Sequence, residues 1–474
     1  MNLDFPLEPG RAEMTEMGRL VVDRVAAFIE RLPDRPTSPP AGAASARDDL
    51  VGAFFAPPPE EAGELTALLD RLERATDHAL ETAGPGYLAY VPGGGLYTSA
   101  LAEFYTRGVN RYGGLAVGAP ALAALEESVV RWIARDVSGL PAGSGGMLTT
   151  GGSMATFSAL VAARHAHLGE AIGEGTLYVG AYAHHSVAKA ARLAGIRERN
   201  VRVVPSTGDL RMDVDAAAAM IRADRDAGLR PFLLVGSAGT TDTGTIDPLP
   251  ALAELARREG VWFHVDAAYG GFFRLTERGR DRLAGTEQAD SITLDPHKTL
   301  FLPFGTGALV VRDPATLHAA HEGTGHYLQD AESGDGLPNY AQLGPELSRE
   351  NRGLRAWLPL HLHGVAAFRA ALDEKLDLAE QVHEKLATVP SLELPWRPDL
   401  STVAFRVRPQ NGDVAAADRA TRRLLDRVNA DGRVLLSSTV VEGRQTLRIC
   451  IVVHRTHGDR VAEALDLIMA AAAG

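Results

Sequence analysis

Between residues 85 and 365 the chain repeats one arrangement. Short apolar runs, "TLYVG", "VRVVP", "PFLLVGSAG", "VWFHVDAA", "SITLD" and "GALVVRD", are mostly bounded by Gly, Pro or Asp. Helical stretches such as "SMATFSALVAARHAHL" and "PLPALAELARREG" lie between several of them. A strand apolar on both faces cannot turn either face to water, so these runs predict a mainly parallel sheet covered by helices on both sides. Such a sheet binds ligands beyond the carboxyl ends of its strands. At 474 residues the chain is long enough to bury such a sheet and carry further units.

The flanks read differently. Met17, Leu20, Val21, Val25, Phe28, Ile29 and Leu32 fall at helical spacing in residues 11–32. "PDRPTSPPAGAASA" then breaks the helix as a linker or an arm across another surface, and a second helical stretch runs to about residue 84. The expectation is an N-terminal helical segment over 1–84, a large domain over 85–365, and a small α+β domain over 366–474. In the last, strand-like "STVAFRVRP", "VLLSST" and "LRICIVVH" mix with helices.

Composition narrows the function classes. A net charge of −12, from 48 basic and 60 acidic residues, disfavours nucleic acid and anionic membranes as partners. No stretch reaches the ~20 uninterrupted apolar residues of a spanning helix. The opening "MNLDFPLEPGRAEMTEM" lacks a basic segment followed by an apolar one, so no secretory signal is expected. Cys450, the only cysteine, sits in an apolar run and reads as a core residue, so a cytoplasmic location is expected.

Lys298 stands in "DSITLDPHKTLFLPFGTG", just past an apolar strand, with His297 beside it. It is either a surface loop residue or a buried lysine with a partner or a task. At a ligand-binding strand end, a lysine of lowered pKa forms a Schiff base with a carbonyl cofactor. Pyridoxal phosphate would require a carboxylate at its ring nitrogen, a flat group on its ring and an anion cradle. Asp266 in "VWFHVDAAYGG" supplies a carboxylate at a strand end, or else caps the following helix. Ala268 is small enough to lie beneath a ring. "TTGGSMAT" places Gly152, Ser153 and Met154 at a helix start, which is either an anion site or an ordinary cap. Thr240, Thr241 and Ser291 are further donors, and Asp295 would repel a phosphate unless turned away. The pair His184–His185 offers one imidazole for stacking. Neither that pair nor "HLH" at 361–363 has metal-ligand partners at a recognised spacing, so no metal is expected.

Taken together, "TGGSMAT", "AHHSVAKAA", "HVDAAYGG" and "ADSITLDPHK" resemble the pyridoxal-phosphate decarboxylases that include the aromatic-amino-acid and glutamate decarboxylases. "NRYGGLAVGAPALAALEESVVRWI" and "RGLRAWLPLHLHG" are similar to that family too. The resemblance implies a fold-type I large domain, an obligate homodimer that uses the 1–84 segment in dimerisation and has active sites at its interface, and decarboxylation of an L-amino acid to an amine. It makes Lys298 the Schiff-base lysine, Asp266 the ring-nitrogen partner, His185 the stacking histidine and Ala268 the residue under the ring. Gly152, Ser153 and Met154 become the phosphate cradle, Thr241 and Ser291 further cofactor contacts, and His297 the holder of the substrate carboxylate. "HYLQDAESGDGLPNYAQLGPELSRENRG" fits a catalytic loop, and Tyr340, seventeen residues before Trp357, is cast as the residue that protonates the substrate carbon across the dimer interface. Tyr90, Val91, Pro92, Tyr112 and Gly114 fall where aromatic decarboxylases hold the substrate side chain. Gly114 replaces a large aromatic residue there, which predicts a pocket widened or filled in another way. Asp295 and Thr299 depart from the family's usual Asn and aromatic residue. The rival readings are an aldehyde product or transamination on the same cofactor, and a silent cofactor-binding scaffold. A dinucleotide site lacks its G-x-G-x-x-G.

Overall fold

A computed structural model describes residues 7–39, 44–91, 93–323 and 336–473. Seven strands form the large sheet: β1 (Gly145–Thr149), β2 (Gly175–Gly180), β3 (Val201–Val204), β4 (Arg230–Ser237), β5 (Trp262–Ala267), β6 (Ser291–Leu294) and β7 (Gly307–Val311). Their order is β1-β7-β6-β5-β4-β2-β3. β2 to β6 pair in parallel and β7 runs antiparallel to both its neighbours, β1 and β6. Five strands match the apolar runs read from sequence, and "GALVVRD" becomes β7. β1, "GGMLT", has too much glycine to read as a strand. Its Gly146 is there for close approach, because a Cβ would overlap the Leu309 carbonyl of β7.

Helices cover the sheet as its apolar strands require. The principal one, α1 (Gly152–Leu168), starts at the end of β1 and buries nine residues, Ala155 and Leu160 among them. The helix at Leu249–Glu259 stops at Gly260, whose φ of +62° suits the left-handed turn that ends a helix.

The smaller sheet is antiparallel, in the order β10-β11-β9-β8, from β8 (Leu392–Glu393), β9 (Thr402–Val407), β10 (Ser437–Val441) and β11 (Arg444–Cys450). β10 starts later than "VLLSST" suggests because Leu435 is engaged elsewhere. Its N–H donates to the Gly86 carbonyl at 2.9 Å, and its carbonyl accepts from Leu88 at 3.0 Å. Residues 86–89 therefore pack on the small domain. The other end of the large domain is equally shared: α2 (Val365–Ala387) buries Phe368, Leu372 and Leu376 in the large core and Leu378, Val382 and Leu386 in the small one. One rigid helix thus spans the junction expected at 365/366.

The N-terminal helix Arg11–Arg31 buries none of its residues. Met17, Val21 and Val25 on its apolar face are exposed, as are Leu68 and Leu72 of the helix Leu65–Asp77. The described part of the Pro-rich stretch, up to residue 39, lies against another surface: buried Thr37 donates its N–H to the Gly432 carbonyl at 2.8 Å.

Candidate active site

The carboxyl ends of β4, β5 and β6 meet the start of α1 around a cavity of about 280 Å³. Asp266 is the penultimate residue of β5. After β6 the chain turns through Asp295 into a single helical turn, Pro296–Thr299, in which proline presets the first φ. That turn aims Lys298 into the cavity, with its N–H bonded to the Asp295 carbonyl at 2.9 Å. Ala268, His297, Thr240 and Thr241 also line it, as do Gly152, Ser153 and Met154. The Gly151 carbonyl takes the Met154 N–H at 3.0 Å, which leaves Gly152 and Ser153 with the N–H groups that have no preceding turn to bond. Gly307 of β7 lets this turn fold down, because a Cβ there would come within 2.6 Å of the Gly151 Cα.

The electrostatics centre on Lys298. Its Nζ lies 2.9 Å from Asp295 Oδ2. Burial alone would drive the lysine's pKa down, but the Asp295 charge and hydrogen bond, with Asp266 behind them, outweigh it and raise the pKa. A Schiff-base lysine read from the sequence calls for a lowered value; here the Asp295 carboxylate raises it instead. His297 donates its Nδ1–H to the Thr306 carbonyl at 2.6 Å, a bond that assigns the tautomer. Its Nε2 lies 3.8 Å from Asp295.

Four expectations change. His184 lines the cavity and His185 is exposed. The reason is Ser186, buried two residues on, whose Oγ lies 2.7 Å from His184 Nδ1 and pins that ring inward. A buried serine after the first histidine was the available signal. Ser291 does not reach the cavity, for its hydroxyl is shared between Trp262 Nε1 and His264 Nδ1, each at 2.8 Å, behind the sheet end. Tyr340 is absent from the cavity as well. It is 2% exposed and packed with Met147, Ala155 and Leu309, and its hydroxyl donates to Glu127 at 3.2 Å. Burial, then Glu126 and Glu127, raise its pKa well above the tyrosine range. The loop's other tyrosine, Tyr327, lies outside the described residues, which omit 324–335.

The fourth concerns the substrate side. Tyr90, Val91, Tyr112 and Gly114 do not line the cavity, and Pro92 lies outside the described residues. Tyr90 is 56% exposed and Tyr112 40% exposed, while Val91 packs against the large core. The space that a side chain at Gly114 would take is filled by the Tyr112 ring, whose ζ-carbon would lie 2.5 Å from a Cβ there. The glycine therefore does not widen a pocket; its space is filled in another way, the second of the two outcomes expected there. No metal-binding cluster of His, Cys, Asp or Glu occurs among the described residues.

The cavity fits pyridoxal phosphate: a lysine amine, a carboxylate at a strand end, a small residue, an imidazole wall and a helix N-terminus whose glycine leaves room for an anion. Residues 56–408 match the pyridoxal-dependent decarboxylase conserved domain. The chain is 31% identical to an aromatic-L-amino-acid decarboxylase of Bacillus atrophaeus, over 98% of its own length and 97% of the relative's. The Oryza sativa TDC structure with PLP and tryptamine superposes with a TM-score of 0.92 at 26% identity, covering 98% of this chain and 99% of that one. The 4-hydroxyphenylacetaldehyde synthase of Rhodiola rosea superposes with a TM-score of 0.90 at 25% identity, covering 98% of each chain. The chain belongs to the pyridoxal-dependent decarboxylase family. It is a pyridoxal-phosphate-dependent amino-acid decarboxylase with the α/β fold of fold-type I enzymes.

Proposed function

We propose that this enzyme removes the α-carboxylate of an aromatic L-amino acid as CO2 and releases the corresponding amine. The observation that carries the reading is the convergence of Lys298, Asp266, Ala268 and the start of α1 on one cavity, in a chain similar to an aromatic-L-amino-acid decarboxylase. Bound pyridoxal phosphate supplies an aldehyde for an amine and a ring that accepts the electrons left when CO2 departs. The Lys298 amine, once deprotonated, would be the nucleophile that holds the cofactor's aldehyde. The Asp266 carboxylate would face the ring nitrogen and hold its proton. The N–H groups of Gly152 and Ser153 would hold the phosphate, helped by the helix dipole, and His184 would form a wall for the ring. With Nδ1–H committed to Thr306, His297 can donate to the substrate carboxylate only through a protonated Nε2.

Aldehyde release is the second reading. Tyr340, the residue expected to secure the amine, is sequestered from the cavity, and the aldehyde synthase of Rhodiola rosea shares the fold. The amine remains the proposal.

The working unit we propose is a cytoplasmic homodimer with shared sites. Support comes from exposed apolar side chains on the N-terminal helices and from Phe104, Tyr105 and Tyr112, 66%, 63% and 40% exposed respectively. No helix among the described residues is long and apolar enough to cross a membrane. Purified holoenzyme given aromatic, acidic and aliphatic L-amino acids should release CO2 and amine in equal amounts from the aromatic ones. Aldehyde with peroxide would move it to the oxidative branch, and turnover confined to acidic or aliphatic substrates would overturn the aromatic assignment.

A further inference from the structure

Two carboxylates line the cavity, and only Asp266 has a task in the reading above. Asp295 has none, yet its side chain is 3% exposed. Its Oδ2 pairs with Lys298 Nζ at 2.9 Å, while its Oδ1 is buried without a hydrogen-bond partner. A Cβ built on Gly152 would lie 2.8 Å from Oδ2 and 3.2 Å from Oδ1, so the carboxylate rests against the first residue of α1. In the free protein Asp295 therefore lies against the start of α1, beside the anion site that the phosphate needs, with Oδ1 accepting no hydrogen bond there. Two anions sharing one helix start, with water largely excluded, repel strongly, and such a pair relieves the repulsion by taking up a proton. A proton is already at hand on Lys298, which must lose one before it can act as a nucleophile.

We propose that Asp295 takes the Lys298 proton as the phosphate ester enters, and keeps it as a neutral acid that donates a hydrogen bond to the phosphate. One N–H bond at Nζ breaks with its electron pair left on nitrogen, and one O–H bond forms at Oδ2. No proton has to leave for solvent in this step. An amide at this position could serve the phosphate equally well but could not accept the lysine proton. The proposal rests on the cofactor reading of the site. The other groups facing Asp295 are His297, 3.8 Å away on the same turn, and His184 across the cavity, which senses the charges of Asp266, Lys298 and Asp295.

The test is infrared difference spectroscopy of cofactor binding to the stripped enzyme, without amino acid, in H2O and D2O. Pyridoxal 5′-phosphate should produce the carbonyl stretch of a protonated carboxylic acid, shifted in D2O. The band should be lost in Asp295→Asn and absent when wild type is given pyridoxal, which has no phosphate. No such band in wild type, the same band with pyridoxal, or a band surviving in Asp295→Asn overturns the proposal. If Asp295→Asn does not fold, the two ligands on wild type decide. Failure of the stripped enzyme to take up pyridoxal 5′-phosphate overturns both the proposal and the reading beneath it. The predicted bands without turnover of any amino acid support Asp295 and overturn only the proposed substrate.

Discussion

Replacing Tyr340 by Phe separates two accounts of that residue. If it protonates the substrate, losing its hydroxyl diverts the product; if it is structural, the loss touches stability alone. The ring stays, so no cavity forms, and the Arg349 guanidinium keeps its place 4.7 Å above it. What goes is one hydrogen bond to a carboxylate, a class worth about 1.5–3 kcal/mol. This one is long, at 3.2 Å, and the oxygen it leaves, Oε2, belongs to a Glu127 carboxylate that is 13% exposed to water and still paired through Oε1 with Arg131 at 2.6 Å, which limits the loss. The expected cost is therefore at or below the bottom of that range, about 1 kcal/mol. Thermal denaturation of the stripped protein should show a small fall in midpoint. The amine yield per CO2 and kcat/KM should stay within about twofold of wild type, a change of only ~0.4 kcal/mol in the barrier. Aldehyde and peroxide from the variant, or a loss of activity at unchanged stability, would refute the structural role.

Four further outcomes follow from the same geometry. Asp266→Asn should lower kcat by roughly a hundredfold or more, as loss of a charge aimed at the reacting system does, measured by CO2 release at saturating cofactor. His184→Ala should weaken cofactor binding and activity by about tenfold, ~1.4 kcal/mol, while His185→Ala leaves both unchanged; spectroscopic titration with pyridoxal phosphate distinguishes them. His264 is buried and held neutral, with burial taking its pKa down to about 4. Below its ordinary value of 6.5 the unfolded chain binds a proton that the folded chain refuses. Stability should thus fall by about 2 kcal/mol between pH 6.5 and 5 from this group, and a His264→Gln variant should show a shallower fall in denaturant midpoint. Charging the exposed N-terminal face with Val21→Asp and Val25→Asp should shift a dimer toward monomer in analytical ultracentrifugation.

The sheet was legible because its strands are apolar on both faces and its breaks carry Gly, Pro or Asp. β1 was not, since its two glycines, one of them required by close packing on β7, erase the strand signature. The same division holds in the site. Lys298, Asp266, Ala268 and the Gly152–Ser153 turn were legible because each follows a recognisable strand and the topology gathers strand ends. His184 against His185 is decided by Ser186, a local contact two residues on whose direction is settled only once that serine is known to be buried. Ser291 has the right residue type at the right strand, yet alternation points it at Trp262 and His264. Tyr340 failed because spacing within a loop carries no direction, and Glu127 lies on a helix more than two hundred residues earlier. Asp295 is the reverse case: its departure from the usual Asn was plain in sequence, but only its pairing with Lys298 gives that departure a meaning.

The most direct test of the account is reductive trapping. Holoenzyme treated with borohydride, digested and mapped by mass spectrometry should carry the reduced cofactor on Lys298. A label on another lysine, such as Lys189, or no label on a protein that still releases CO2, would contradict the placement of the chemistry in this cavity.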